Sequence, residues 1–173
     1  MQNRGIALLA IAAMITIISC SSNTDIAATI PNNKVTFAAT MTFGAETPAP
    51  LVASTGTGTF TATLDTVTSV FTWDLTFTGL TSAVNNGHIH GPAAATATSG
   101  TSINFNTAPG ATFGLGLTAG TGHGSMVLNT TTAVTATMSG DSLKKLLFAG
   151  LTYANIHTTS NPGGEIRGQI TKQ

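Results

Sequence analysis

Ionisable side chains are scarce in this chain: six Lys or Arg and six Asp or Glu among 173 residues, with a formal net charge of zero. A nucleic-acid surface needs several cations to neutralise phosphates, so nucleic acid is not an expected partner. The same neutrality removes long-range steering toward any charged molecule. Cysteine is limited to Cys20, so no disulfide can form within the chain. No Gly-x-Ser-x-Gly turn occurs, and the carboxylates are too dispersed to nominate an acid–base pair. Nothing in these absences points to catalysis, and the expectation is a protein that is not an enzyme.

What is present begins with MQNRGIALLAIAAMITIISC, one positive charge at Arg4 followed by an uncharged apolar run from Gly5 to Ile18. That run is shorter than the roughly 20 residues a spanning helix needs and has the layout of a secretory signal peptide. Small Ser19 before Cys20 suits the enzyme that processes bacterial lipoproteins. Residues 1–19 are therefore expected to be removed and Cys20 to carry the lipid, which also accounts for a lone thiol in an oxidising compartment. Membrane contact is then expected through this anchor. In a Gram-negative cell, Ser21 after the lipidated residue favours the outer membrane. Small polar residues continue to Pro31, so 20–31 reads as a tether and 32–173 as one folded domain.

Within that domain, apolar residues alternate with threonine. Phe71, Trp73, Leu75 and Phe77 share one face of a strand whose other face is Thr72, Asp74, Thr76 and Thr78. Val35, Phe37, Ala39, Met41 and Phe43 repeat the pattern, as do Phe60, Ala62 and Leu64, and Val134, Ala136 and Met138. Clusters such as STGTG, HGPA, APGA and NPGG read as turns. The pattern predicts an all-β fold, an antiparallel sandwich or barrel of about eight to ten short strands. One segment departs from it. In SGDSLKKLLFAG, Leu143, Leu146 and Leu147 fall at helical spacing, with Ser139 or Asp141 as a cap, Gly150 as a stop, and Lys144 and Lys145 on the wet side. His123, among glycines in TAGTGHGSM, reads as a solvated loop residue.

The polar chemistry gathers in two stretches, HIHGPA and YANIHTTSNPGGEIRGQI. His88 and His90 lie two apart on a strand and so present both rings on one face, about 6 to 7 Å apart. Tyr153, Asn155 and His157 share a face, and after the NPGG turn Glu165, Arg167 and Gln169 share another, which a hairpin would bring alongside. Three roles fit such a patch. His88, His90 and His157 could hold one copper or zinc ion, with Glu165 as a ligand or as a partner to a ring N–H. Glu165 and Arg167 could instead form an ion pair inside a buried hydrogen-bond network. The patch could also be a polar surface for an outside ligand.

The order of GAETPAP, GTGTFTATLD, FTGL, HIHGPA, FAGLTYANIHT and NPGGEIRGQI resembles the CHRD domain family, first described in the developmental protein chordin and found also in exported bacterial proteins. The likeness spans roughly Val35 to Ile170. It implies a compact β-domain without established catalysis, acting as a binding or structural module, with an extracellular protein or glycan as its kind of ligand. The matching positions are Glu46, Pro48, His88, His90, Gly91, Pro92, Tyr153, Asn155, His157, Gly164, Glu165, Arg167 and Gly168. Gly87 departs from the Ala frequent in the family. Copper–zinc superoxide dismutases share a His-x-His pair on a β-sandwich. Four histidines, no cysteine pair and no dense His and Asp loop exclude that chemistry here.

Overall fold

The computed structural model describes residues 32–173. The expected signal peptide at 1–19, Cys20 and the tether at 20–31 lie outside the described residues. Eleven strands form: β1 Lys34–Thr42, β2 Thr57–Asp65, β3 Val70–Thr78, β4 Val84–His90, β5 Thr101–Asn104, β6 Thr112–Phe113, β7 Gly120–Val127, β8 Ala133–Thr135, β9 Met138–Ser139, β10 Thr152–Thr158 and β11 Ile166–Lys172, with one helix, α1 Gly140–Phe148, among the described residues. Nine of them make one antiparallel sheet in the order β5-β4-β10-β11-β1-β2-β3-β7-β6. The all-β antiparallel expectation therefore stands.

The alternation read from the sequence sets the inner face. Phe37 and Met41 of β1, Phe60 and Leu64 of β2, and Phe71, Trp73 and Leu75 of β3 are buried, while the threonines between them face outward. Thr59 and Thr76 join hydroxyls at 2.8 Å across β2 and β3. The sheet curls into a half-barrel. Phe105, just after β5, packs against Phe60 of β2 and Trp73 of β3 at 6.2 Å each. At the far rim the Val84 N–H donates to the Leu117 carbonyl at 2.9 Å, so the start of β4 meets the loop before β7. Gly87 lies where a Cβ would overlap the Phe113 ring, so an alanine here requires that ring to shift.

Helix α1 closes the core with Leu143 and Leu147. Ser139 caps it by accepting from the Ser142 N–H at 3.2 Å, and Gly150 ends it at φ +66. Lys145 is exposed as expected. Lys144 is instead folded down, its Nζ 2.9 Å from Asp141 and 3.4 Å from both Ser69 Oγ and the Leu128 carbonyl.

Two local expectations change. Val134 to Met138 is not one strand but the tight β8–β9 hairpin, turned by a Thr137 N–H that donates to Thr135 Oγ1 at 3.3 Å. His123 sits on β7, not in a loop, and its Nδ1 lies 2.8 Å from Asp74 Oδ1 on β3. Its flanking glycines are there for close packing: a Cβ at Gly120, Gly122 or Gly124 would press on Phe77, on Phe113 and Leu75, or on Trp73. The indole of Trp73 occupies the space a side chain at position 124 would take. Gly124→Val is accordingly expected to destabilise by about 1–3 kcal/mol through overpacking. Urea unfolding reads this as a lower midpoint at unchanged slope, and an unmoved midpoint would show that the indole can step aside.

Candidate functional site

Strand β10 is the spine of the site. It pairs with β4 so that Tyr153 faces His90, Asn155 faces His88 and His157 faces Asn86, and with β11 so that Asn155 faces Arg167 and Tyr153 faces Gln169. Ile89, Ala154 and Ile156 point into the core, which puts the polar side chains on the sheet's outer face. That face is nevertheless buried, because loops fold over it: His88 and His90 are 8% exposed, Asn155 2% and Arg167 1%.

Arg167 and Glu165 hold those loops, and they do so separately. The Arg167 Nη2 donates to the carbonyls of Ala94 at 3.2 Å and Ala97 at 2.7 Å, and its Cζ lies 3.4 Å from the centre of the Tyr153 ring. Gln169 adds bonds to the Ala93 and Gly150 carbonyls. Glu165 is fully buried and accepts from Ser54 Oγ at 2.5 Å, Thr81 N at 2.7 Å, Thr81 Oγ1 at 2.7 Å and Thr158 Oγ1 at 2.6 Å. The expected Glu165–Arg167 ion pair does not form, nor does Glu165 reach an imidazole. Four short bonds from fixed donors saturate its oxygens, while the guanidinium meets carbonyls through Nη2 and a ring through its face, its buried Nη1 unpartnered among the described residues. The carboxylate whose charge acts on Arg167 is Glu46.

The remaining groups form one chain of contacts. His90 stacks on Tyr153 with centroids 4.7 Å apart and planes 6° apart, and meets His88 edge-on at 5.1 Å; His88 meets His157 at 4.9 Å. His88 Nδ1 lies 3.0 Å from His157 Nε2, and His90 Nε2 lies 3.1 Å from Asn155 Oδ1. The Asn155 Nδ2 donates to Glu46 Oε2 at 3.5 Å. Gly164, at φ +127, lets the backbone pass where a Cβ would strike Glu46 and Asn155. The structure thus brings together His88, His90, His157, Tyr153, Asn155, Arg167 and Glu46, and sets Glu165 to one side.

The ring protons follow from their partners. His157 Nδ1 faces the Pro162 carbonyl at 2.9 Å and His90 Nδ1 the Ser99 carbonyl at 2.9 Å, so both nitrogens donate. His157 Nε2 then carries a lone pair and accepts from His88 Nδ1–H. Burial disfavours the imidazolium of all three. For His88 the two neighbouring rings add to it, and its pKa falls to about 4. Burial pushes the carboxyl of Glu46 up, against the Thr47 N–H and Arg167. Burial also acts to raise Glu165, but its hydrogen bonds from Ser54, Thr158 and Thr81 outweigh that and leave it lowered.

His88 and His157 open onto a cleft of about 400 Å³ with Asn85, Asn86 and Pro162. A larger cleft, of about 570 Å³, lies on the threonine face of β1 to β3 and shares no residue with the cluster. Sequence reasoning missed Ser54, Thr81, Thr158, Ser99, Asn104 and Asn161. Of these Asn161, buried and bonded to both the N–H and the carbonyl of Val52, had a signal in the NPGG turn, which reads only as a turn until the loop it clasps is known.

Because the folded carboxyl of Glu165 is lowered, the stability it contributes is complete above its ordinary value of 4.5 and is lost as pH falls through the lower folded value. Glu46, being raised, acts in the opposite sense. The difference between wild type and Glu165→Gln isolates the first effect. At neutral pH the substitution is expected to destabilise by about 1.5–3 kcal/mol, the worth of hydrogen bonds to a charged group. That gap should narrow below pH 4.5 in denaturant titrations, and a gap independent of pH would contradict the ionised network.

A family model for the CHRD domain matches residues 37–170, a span from β1 to β11 that contains every residue of this cluster. No curated protein and no solved structure gives a significant match. The resemblance carried by HIHGPA and NPGGEIRGQI is borne out: the chain belongs to the CHRD domain family.

Proposed function

We propose that this chain is an exported protein of the cell envelope, anchored by lipid on Cys20, whose CHRD domain is a non-catalytic binding module. The observation that carries the proposal is the division of labour among buried polar groups. Glu165, Arg167 and Gln169 are committed to holding loops. The cleft is lined instead by His88 and His157, bonded to each other, and by Asn85 and Asn86. A rigid rim around a small polar opening suits recognition by hydrogen bonds, and the near absence of charge favours an uncharged extracellular glycan or protein surface over nucleic acid.

Two measurements test this. Labelling with radioactive palmitate is expected to mark the wild type and not Cys20→Ala, which should move from the membrane pellet to the soluble fraction; label persisting on Cys20→Ala would remove the anchor. The chelated protein is then applied to immobilised envelope polysaccharides and surface proteins. Saturable retention weakened by Asn86→Trp, which blocks the cleft, is the expected result. Retention by none of them would leave the domain as architecture alone.

A further inference from the structure

We infer that His88, His90 and His157 form a site for one divalent transition-metal ion of the zinc or copper type. The inference rests on the binding-module proposal and names the ligand of its cleft. One ring nitrogen from each histidine lies within 4.8 Å of the others, and His88 Nδ1 and His157 Nε2 are already 3.0 Å apart. Three nitrogens at about 2.0–2.1 Å from a tetrahedral ion stand about 3.3 Å from one another. Small ring rotations therefore bring the set to bonding distance.

Three further features distinguish the cluster from a chance grouping. The rings of His90 and His157 are each held by an Nδ1–H donated to a backbone carbonyl, the arrangement that aims the opposite nitrogen at a metal. That assignment leaves His90 Nε2 as an acceptor, and it faces Asn155 Oδ1, a second acceptor, at 3.1 Å. The Asn155 Nδ2 donates to Glu46, which turns the amide oxygen and its electron pairs toward that of the ring. A cation placed there satisfies both. Finally, the donor set is imidazole with no carboxylate among the three, which suits zinc or copper and not calcium or magnesium. The cleft beside His88 and His157 supplies an entry path and an open fourth position.

Metal binding displaces the proton now shared by His88 Nδ1 and His157 Nε2. That proton passes to His88 Nε2, so the ring stays neutral and binds through Nδ1.

The test uses the full chain in detergent, stripped by chelator and titrated separately with zinc(II) and copper(II) by calorimetry, with metal analysis after gel filtration. One equivalent should bind and raise the melting temperature. His88→Gln and His157→Gln should each weaken binding at least about 100-fold. His157 is the most exposed of the three, so its variant decides the matter should His88→Gln fail to fold. The copper(II) form should show nitrogen splittings in electron paramagnetic resonance. Cys20→Ala should bind as wild type does. Absence of a saturable equivalent, affinity unchanged in His157→Gln, or binding lost in Cys20→Ala would overturn the site. The polysaccharide and protein assay on chelated material stands or falls independently of this result.

Discussion

A carboxylate taken fully out of water is tolerated only where donors answer its lone pairs, and Glu165 is answered four times. The four donors come from three stretches of chain: Ser54 from the loop before β2, Thr81 twice from the loop before β4, Thr158 from the end of β10. Apart from Leu80 these loops bury little apolar surface, Leu51 and Val52 being exposed. Without the carboxylate their backbone groups would return to water. With it they are fixed over the end of the sheet, and Asn161 repeats the arrangement by clasping Val52. The covering of the outer face, and so the burial of the histidines, depends on this anchorage.

Arg167 performs the corresponding task on the other side of β10, and the two charges work better apart than paired. A guanidinium bound to two carbonyls and stacked on Tyr153 orders the stretch from Ala93 to Ser99. That stretch ends in the carbonyl that fixes the ring of His90. Tyr153 is shared between the cation on one face and His90 on the other, so the orientation of an imidazole is tied to the position of a loop. A neutral His90 follows from the same enclosure, because burial and the neighbouring His157 both oppose a second proton.

Much of this was legible beforehand. β1 to β3 follow from strict alternation because one face is core and the other water, and α1 follows from leucine spacing and its caps. β7 was not legible, since Gly120, Gly122 and Gly124 look like a loop until the side chains of Phe77, Leu75 and Trp73 are seen to need their space. For the site, spacing placed Tyr153, Asn155 and His157 on one face and Glu165 and Arg167 on another. Spacing along a strand says which face a side chain takes, not which loop lies above it. Glu165 and Arg167 were therefore read as each other's partners, when partners 111 and 70 residues away had claimed them.

The sheet order explains why the cluster is found here and not elsewhere on the domain. The β10–β11 hairpin lies between β4 and β1, strands from the first half of the fold, and joins them into one sheet. Three hydrogen bonds of the cluster cross that join: His88 to His157 spans 69 residues, His90 to Asn155 spans 65, and Asn155 to Glu46 spans 109. None can exist before the hairpin has docked, and loop closures of this length must be met before their contacts repay them. The residues with most chemistry thus sit at the seam that completes the half-barrel, where a substitution alters cluster and fold together. His157, at the margin of the seam and open to the cleft, is the histidine whose chemistry can be altered with least effect on the fold.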